Sequence, residues 1–212
     1  MKNLFALSIL AASVAMTACS KKPEETTPAT GAAATTASAS GATIIKIGHA
    51  APLTGPQAHL GKDNENGVRL AVDELNAKGL TIGGQKVQFE LHSEDDQADP
   101  RIATTVAQKF VDDKVNVMIG HLNSGTTIPA SRIYNDAGIV EISPSATNPK
   151  YTQQGYKGAF RVMANDVQQG KVLGEFAVKE MAAKNIAIID DRSAYGQGLA
   201  DEFEKAAKAA GG

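Results

Sequence analysis

The sequence predicts an α/β protein with parallel sheets covered by helices on both faces. Three observations carry that prediction. Short apolar runs alternate in order with segments of helical period, and the loops joining them are brief and rich in Gly, Pro, Asp and Ser. Aromatic residues make up only 5% of the chain and Trp is absent, so Val, Ile, Leu and Ala must fill the core.

Residues 1–18 read as a targeting signal. Lys2 precedes an apolar run from Leu4 to Met16 that is too short for a stable membrane span. The run leads into Met16-Thr17-Ala18-Cys19, which resembles a bacterial lipobox with Cys19 as the lipidated first residue of the mature protein. Met16 replaces the Leu usual there. An ordinary cleaved signal with an incidental cysteine is the other reading. Cys19 is the only cysteine, so no internal disulfide explains it. Residues 19–42 are rich in Thr, Ala, Ser, Gly and Pro, lack large apolar side chains and are expected to be a disordered tether.

The folded part is expected from Thr43. Thr43 to Ala50 reads as a strand, broken by Pro52 and Gly55-Pro56 into a loop reaching Gly61. From Lys62, Val68, Ala71, Val72 and Leu75 mark a helix that Gly79 stops. After the Gly83-Gly84 turn, Val87, Phe89 and Leu91 alternate as in a half-exposed strand. Asp99-Pro100 is an N-cap followed by proline at the first helical position, and Ile102, Val106 and Phe110 line one face of the helix it opens. Asn116 to Ile119 is a short buried strand.

A helix then runs to about Asp136, with Pro129 in its first turns and Gly138 as its stop. Ile139 to Ile142 and Phe160 to Val162 read as strands. Asp166 is expected to cap a helix whose inner face carries Leu173, Phe176, Ala177 and Met181. Ile186 to Ile189 reads as another strand, and Leu199, Phe203, Ala206, Ala207 and Ala210 mark the last helix. A domain crossing is expected near Val162, which separates residues 43–163 from 164–212.

The net charge of -2 and the lack of a Lys/Arg cluster argue against nucleic acid as a partner. Ser124 is not in a nucleophile elbow, because Leu122 stands where that motif needs Gly. Gly196-Gln197-Gly198 lacks the third glycine of a dinucleotide fingerprint and reads as a helix-entry turn. The acidic run Glu94-Asp95-Asp96 with Asp99 lacks calcium-loop spacing and reads as a solvated strand end. His49, His59, His92 and His121 show no metal-ligand spacing and default to structural or surface roles. No cofactor and no enzymatic activity are expected.

What remains is Gly120-His121-Leu122-Asn123-Ser124-Gly125-Thr126-Thr127, a polar turn between a strand and a helix. Backbone N–H groups and hydroxyls at such a place grip an anion, whether carboxylate or phosphate. Ser124, Thr126 or Thr127 would equally serve as plain helix caps, and on chemistry alone both readings stand. The next polar turn, Ser143 to Thr147, adds hydroxyls and carbonyls at the same sheet edge. N–H donors beside carbonyl acceptors suit a zwitterion.

Several stretches together resemble the bacterial leucine/isoleucine/valine-binding proteins, the extracytoplasmic receptors of branched-chain amino-acid ABC transporters. They are Leu53-Thr54-Gly55-Pro56, Asp95-Asp96, Asp99-Pro100, Gly120 to Ser124, Pro129 to Tyr134, Ser143 to Thr147, and Tyr195 to Ala200. The resemblance runs from about Thr43 to the end. It implies a two-lobed type I periplasmic binding protein, with an incomplete second lobe beginning at 164, that traps a free aliphatic amino acid between its lobes. Leucine, isoleucine or valine would be handed to the permease subunits, in the periplasm, with membrane contact only through a lipid on Cys19.

By the resemblance, Ser124 holds the ligand carboxylate, with Leu122 and Asn123 beside it. Ser145 offers a carbonyl to the ammonium, Ala146 follows it, Thr147 contacts the polar end, and Tyr195 closes from the second lobe. Leu60 stands where those receptors place an aromatic against the ligand side chain, which alters the pocket. Ala98 and Asn123 occupy the positions of a disulfide in the enteric members. The acidic partner of the ligand ammonium is expected beyond Gly212, so this chain is expected to bind weakly by itself. Receptors of the same fold for an amide, urea or an aromatic acid, or a sensory module, are the alternatives.

Overall fold

The computed structural model describes residues 41–212. The leader, Cys19 and the tether up to Ser40 lie outside them. The first strand, β1 (Thr43–Ala51), is rich in isoleucine, whose branched side chain suits a pleated surface. It takes the middle of a six-stranded sheet of order β2-β3-β1-β4-β5-β6. β1 pairs in parallel with β3 (Gln85–Asp95) on one side and β4 (Val117–Gly120) on the other, so Ile47 lies between Leu91 and Val117. β5 (Val140–Ser143) adds to β4, and β6 (Ala159–Arg161) adds to β5, both parallel.

The exception to parallel pairing is β2 (Thr81–Ile82), a short antiparallel edge strand against β3 that the sequence reading did not anticipate. Gly83 and Gly84 join the two at positive φ, 59° and 82°, as a two-residue hairpin turn requires.

Among the described residues four helices connect the strands, α1 (Ala58–Lys78), α2 (Pro100–Asp112), α3 (Ser124–Asp136) and α4 (Lys150–Gln153), and two follow β6, α5 (Asp166–Lys179) and α6 (Ala194–Ala209). α1 starts at Ala58 rather than Lys62. The Gly55 and Gln57 carbonyls accept from Ala58 and Gly61, winding the expected loop into a first turn. It ends as predicted, with Gly79 left-handed at φ 62°. Asp99 caps α2 through bonds from the Arg101 and Ile102 amides at 2.7 and 3.3 Å. The short α4 was not predicted.

Side chains alternate across β1. A Cβ on Gly48 would meet Met118, Val115 and Phe110, so this face looks toward α2. There Ala50, Val106, Ala107, Phe110, Val115, Met118, Ala130 and Tyr134 form the core between the sheet and α2 and α3. Full burial of a side chain the size of Phe110 or Met118 contributes about 1.5–3 kcal/mol. α1 packs on β1 and β3, burying Gly61, Glu65 and Val72. Ala71 of the expected stripe is exposed.

Four expectations are corrected. Ile186 to Ile189 is not a strand: it has no ladder partner among the described residues, and Ile189 is 94% exposed. The cap of α5 is Asn165, whose side chain accepts from the Gln168 amide, while Asp166 is the first helical residue. Leu173, Phe176 and Met181 are exposed, and α5 instead turns Gly170 and Gly174 onto α6. Asp96 is not solvated but completely buried.

Candidate functional site

The two polar turns meet because the strands that feed them are neighbours. Ile119 of β4 pairs with Ile142 of β5, so both chains leave the carboxyl edge of the sheet side by side. Gly120 is the last residue of β4 at φ 145°, and a Cβ there would stand 2.5 Å from the Ala50 carbonyl. Only glycine lets the chain turn at that spot. The loop after β1 joins the same edge, where the Asn123 amide donates to the Gln57 side chain at 2.8 Å.

The start of α3 differs from a capped helix. Asn123 is the N-cap residue but makes no side-chain cap. Thr126 and Thr127 do not cap either: their hydroxyls donate to the Asn123 carbonyl at 2.9 and 2.8 Å, and Thr127 shares its one proton with the His121 carbonyl at 3.1 Å. Ser124 is 2% exposed, and its hydroxyl accepts the Asn148 backbone N–H at 3.2 Å. No acceptor for its own proton is found among the described residues. A serine hydroxyl has one donor and two acceptor sites. Its proton is therefore free for an incoming anion, as are the Ser124 and Gly125 amides that open the helix.

The second turn is tied to the first. Ser143 donates to the His121 carbonyl at 2.8 Å and accepts the Ala146 amide at 2.9 Å. Ser145 donates to the Leu122 carbonyl at 2.8 Å. From behind, the Arg161 guanidinium donates to the carbonyls of Ala146 and Asn148 at 2.7 and 3.0 Å, fixing the turn's backbone. Ser124, Leu122, Asn123, Ser145, Ala146 and Thr147 are thus brought together.

Tyr195 sits in the first turn of α6 and is 43% exposed. Its helix reaches the turns through Asn148, whose side-chain amide donates to the Ala194 carbonyl at 2.6 Å. Gly125 lies 3.9 Å from Ala194, measured from where its Cβ would be. Leu60 is 46% exposed on α1, one turn past Gln57.

The sequence marks no site role for Gln57, Asn148, Arg161 or Asp166, the last of which reads there only as a helix cap. Asn148 follows Thr147 and precedes proline, a weak signal for a residue that joins three elements. Asp166 is fully buried, and neither of its carboxylate oxygens nor the Thr147 hydroxyl has a hydrogen-bond partner among the described residues. Burial raises the Asp166 pKa above the ordinary carboxylate value, against the pull of the nearby Thr147 hydroxyl, which stands outside hydrogen-bond geometry, and of the Arg161 charge.

The sheet thus gathers its polar turns at the carboxyl edge, the place where ligands bind in open α/β folds. The family model described as periplasmic binding protein matches residues 44–212, and the chain belongs to that family. It is 45% identical over 161 residues to the Leu/Ile/Val-binding protein homolog 1 of Brucella abortus (strain 2308), covering 76% of this chain and 43% of the relative. The chain thus spans less than half the length of that relative. Among solved structures, it is similar to the branched-chain amino acid transporter substrate binding protein LivJ of Streptococcus pneumoniae in complex with isoleucine. That similarity has a TM-score of 0.71 and 33% identity, covering 78% of this chain and 47% of the other. It is also similar to a solute binding protein of an ABC transporter from Rhodopseudomonas palustris BisB5 in complex with 3,4-dihydroxy benzoic acid. There the TM-score is 0.65 and the identity 26%, over 80% of this chain and 45% of the other.

Proposed function

We propose that this chain supplies the gripping part of an extracytoplasmic solute-binding protein that captures a free aliphatic amino acid and delivers it to an ABC transporter permease. The observation that carries the proposal is Ser124: a buried hydroxyl at a helix start, positioned by Asn148, with its proton uncommitted. A carboxylate there gains roughly 0.3–1 kcal/mol from the helix dipole and about 1.5–3 kcal/mol from each charge-assisted hydrogen bond. Leu122, Asn123 and Ala146 would flank it, the Ser145 carbonyl would take the ammonium, and Thr147 would contact the polar end. Leu60 would form the wall against the aliphatic side chain.

In this reading residues 43–163 belong to one lobe and 164–212 begin a second, which brings Tyr195 over the ligand. The exposed apolar residues Leu173, Phe176 and Ile189, and the lack of a strand at Ile186 to Ile189, support that division. Ligand would favour the closed arrangement because only there does it touch both lobes, a population shift the permease reads as shape. The protein would work in the periplasm, held by a lipid on Cys19 or free of it, and would have no chemistry of its own.

The second reading is an aromatic acid as ligand. It shares the carboxylate grip, and the Rhodopseudomonas protein is named with such a ligand. A thermal-shift panel on the complete gene product, with leucine, isoleucine, valine, their amides and hydroxybenzoates, separates the two. Stabilisation by a branched-chain amino acid but not by its amide is expected. Stabilisation by hydroxybenzoates alone would replace the first reading with the second.

A further inference from the structure

Both turns hang on the backbone of His121 and Leu122, and the His121 side chain is itself locked in the core. The imidazole is fully buried, with Nδ1 2.7 Å from an Asp96 carboxylate oxygen and Nε2 3.0 Å from the Tyr134 hydroxyl. A carboxylate only accepts, so Nδ1 carries a proton and donates to Asp96. Nε2 meets the Tyr134 hydroxyl, which can donate to it or accept from it. Asp96 is held in turn by the Ala98 amide at 3.0 Å. Tyr134 is fully buried on α3, ten residues beyond the grip, and belongs to the apolar core.

The other end of the same residue carries the site. The His121 carbonyl accepts the hydroxyl of Ser143, at the end of β5, at 2.8 Å, and lies 3.1 Å from the Thr127 hydroxyl, in the first turn of α3, whose one proton it shares with the Asn123 carbonyl. Ser143 then holds the Ala146 amide. A rotation of the His121 peptide would therefore displace the helix start and the neighbouring turn together. Buried polar groups that lose a partner keep their desolvation cost, so the chain Asp96–His121–Tyr134 favours one orientation of that peptide.

We infer that Asp96, His121 and Tyr134 form a positioning relay that sets the carboxylate grip at Ser124 in register with the Ser143–Thr147 turn. None of the three reaches the ligand. The inference rests on the carboxylate-binding reading above, and it specifies which part of the ligand the relay serves.

The test uses the complete gene product and its Tyr134→Phe variant, which keeps the ring and removes the hydroxyl. Binding of leucine and of leucinol, which lacks the carboxylate, is followed by nitrogen-15 shift titration. The variant is expected to weaken leucine by about five- to tenfold, the effect of one neutral hydrogen bond lost, and leucinol by less than about twofold. Equal weakening of both, or unchanged leucine affinity, would overturn the relay. If the wild type binds neither, the amino-acid reading fails, and the comparison passes to 3,4-dihydroxybenzoate against catechol with the same criteria. Should the variant not fold, the wild-type histidine nitrogen spectrum decides. A proton on Nδ1 of His121 is expected, and a bare Nδ1 overturns the inference.

Discussion

The Ser124 hydroxyl accepts the backbone N–H of Asn148 at 3.2 Å across the gap between two turns. This bond uses an acceptor site of the hydroxyl and leaves its proton unspent. Ser124→Ala removes the donor. Affinity for an α-carboxylate ligand is expected to fall by about 1.5–3 kcal/mol, the size of one charge-assisted hydrogen bond, measured by calorimetry on the complete gene product. Affinity unchanged within error would reduce the serine to a part of the loop.

Asn148 also ties the turns to α6 through the Ala194 carbonyl, and Gly198 fits against it so closely that a Cβ would lie 2.6 Å from the Asn148 amide nitrogen. Asn148→Ala keeps the backbone bond to Ser124 but deletes the bond to Ala194. Amides at the start of α6, near Gly196 to Gly198, are expected to exchange faster with deuterium while those of β4 stay protected. Equal exchange in variant and wild type would show that α6 is held by other contacts.

Much of this architecture could be read from local chemistry. Asp99 with Pro100, Gly79 and the Gly83-Gly84 turn announce themselves because each satisfies a backbone demand that few other residues meet. The polar turn from Gly120 to Thr127 was legible for the same reason, and its grip on an anion is the proposal made above. What failed were inferences that depend on partners distant in sequence. Ile186 to Ile189 has strand composition, yet a strand needs a neighbour, and none is present among the described residues. The apolar stripe of α5 was read as its inner face, while the actual contact is made by the small residues Gly170 and Gly174, which hydrophobic periodicity overlooks. Asp96 was read as solvated because its partner, His121, lies 25 residues away.

Glu141 gives a pH-dependent prediction. It is 1% exposed on β5, and neither carboxylate oxygen has a hydrogen-bond partner among the described residues. Burial pushes its carboxyl well above the ordinary value of 4.5, opposed by the nearby Tyr151 hydroxyl and the His121 backbone. The unfolded chain therefore releases this proton first as pH rises above about 4.5, and the folded state retains it. The unfolded state then binds fewer protons, so stability falls with rising pH until the folded group ionises as well. Glu141→Gln keeps the shape without the titration. Its melting temperature relative to the wild type is expected to rise as the pH climbs above about 4.5, at about 2–4 °C per kcal/mol for a domain of this size. A difference that does not change with pH would place the Glu141 charge elsewhere in the balance.

The contact between α5 and α6 sets two effects of one substitution against each other. Glycine inside a helix costs about 1 kcal/mol relative to alanine, so Gly→Ala stabilises wherever a methyl group fits. At Gly174 it does not: a Cβ would stand 2.7 Å from both the Ala207 nitrogen and the Phe203 carbonyl oxygen, backbone atoms of α6 that cannot swing aside. Overpacking of this kind costs about 1–3 kcal/mol or more, which outweighs the gain in propensity. Gly67 in α1 has nothing within 4 Å of the same position. Urea unfolding is therefore expected to shift in opposite directions, with Gly174→Ala destabilised by about 1–2 kcal/mol and Gly67→Ala stabilised by about 0.5–1 kcal/mol. Stabilisation by both would mean that α5 can move away from α6 at little cost, and the close approach of the two helices would not be what holds the start of α6, and Tyr195 with it, against the polar turns.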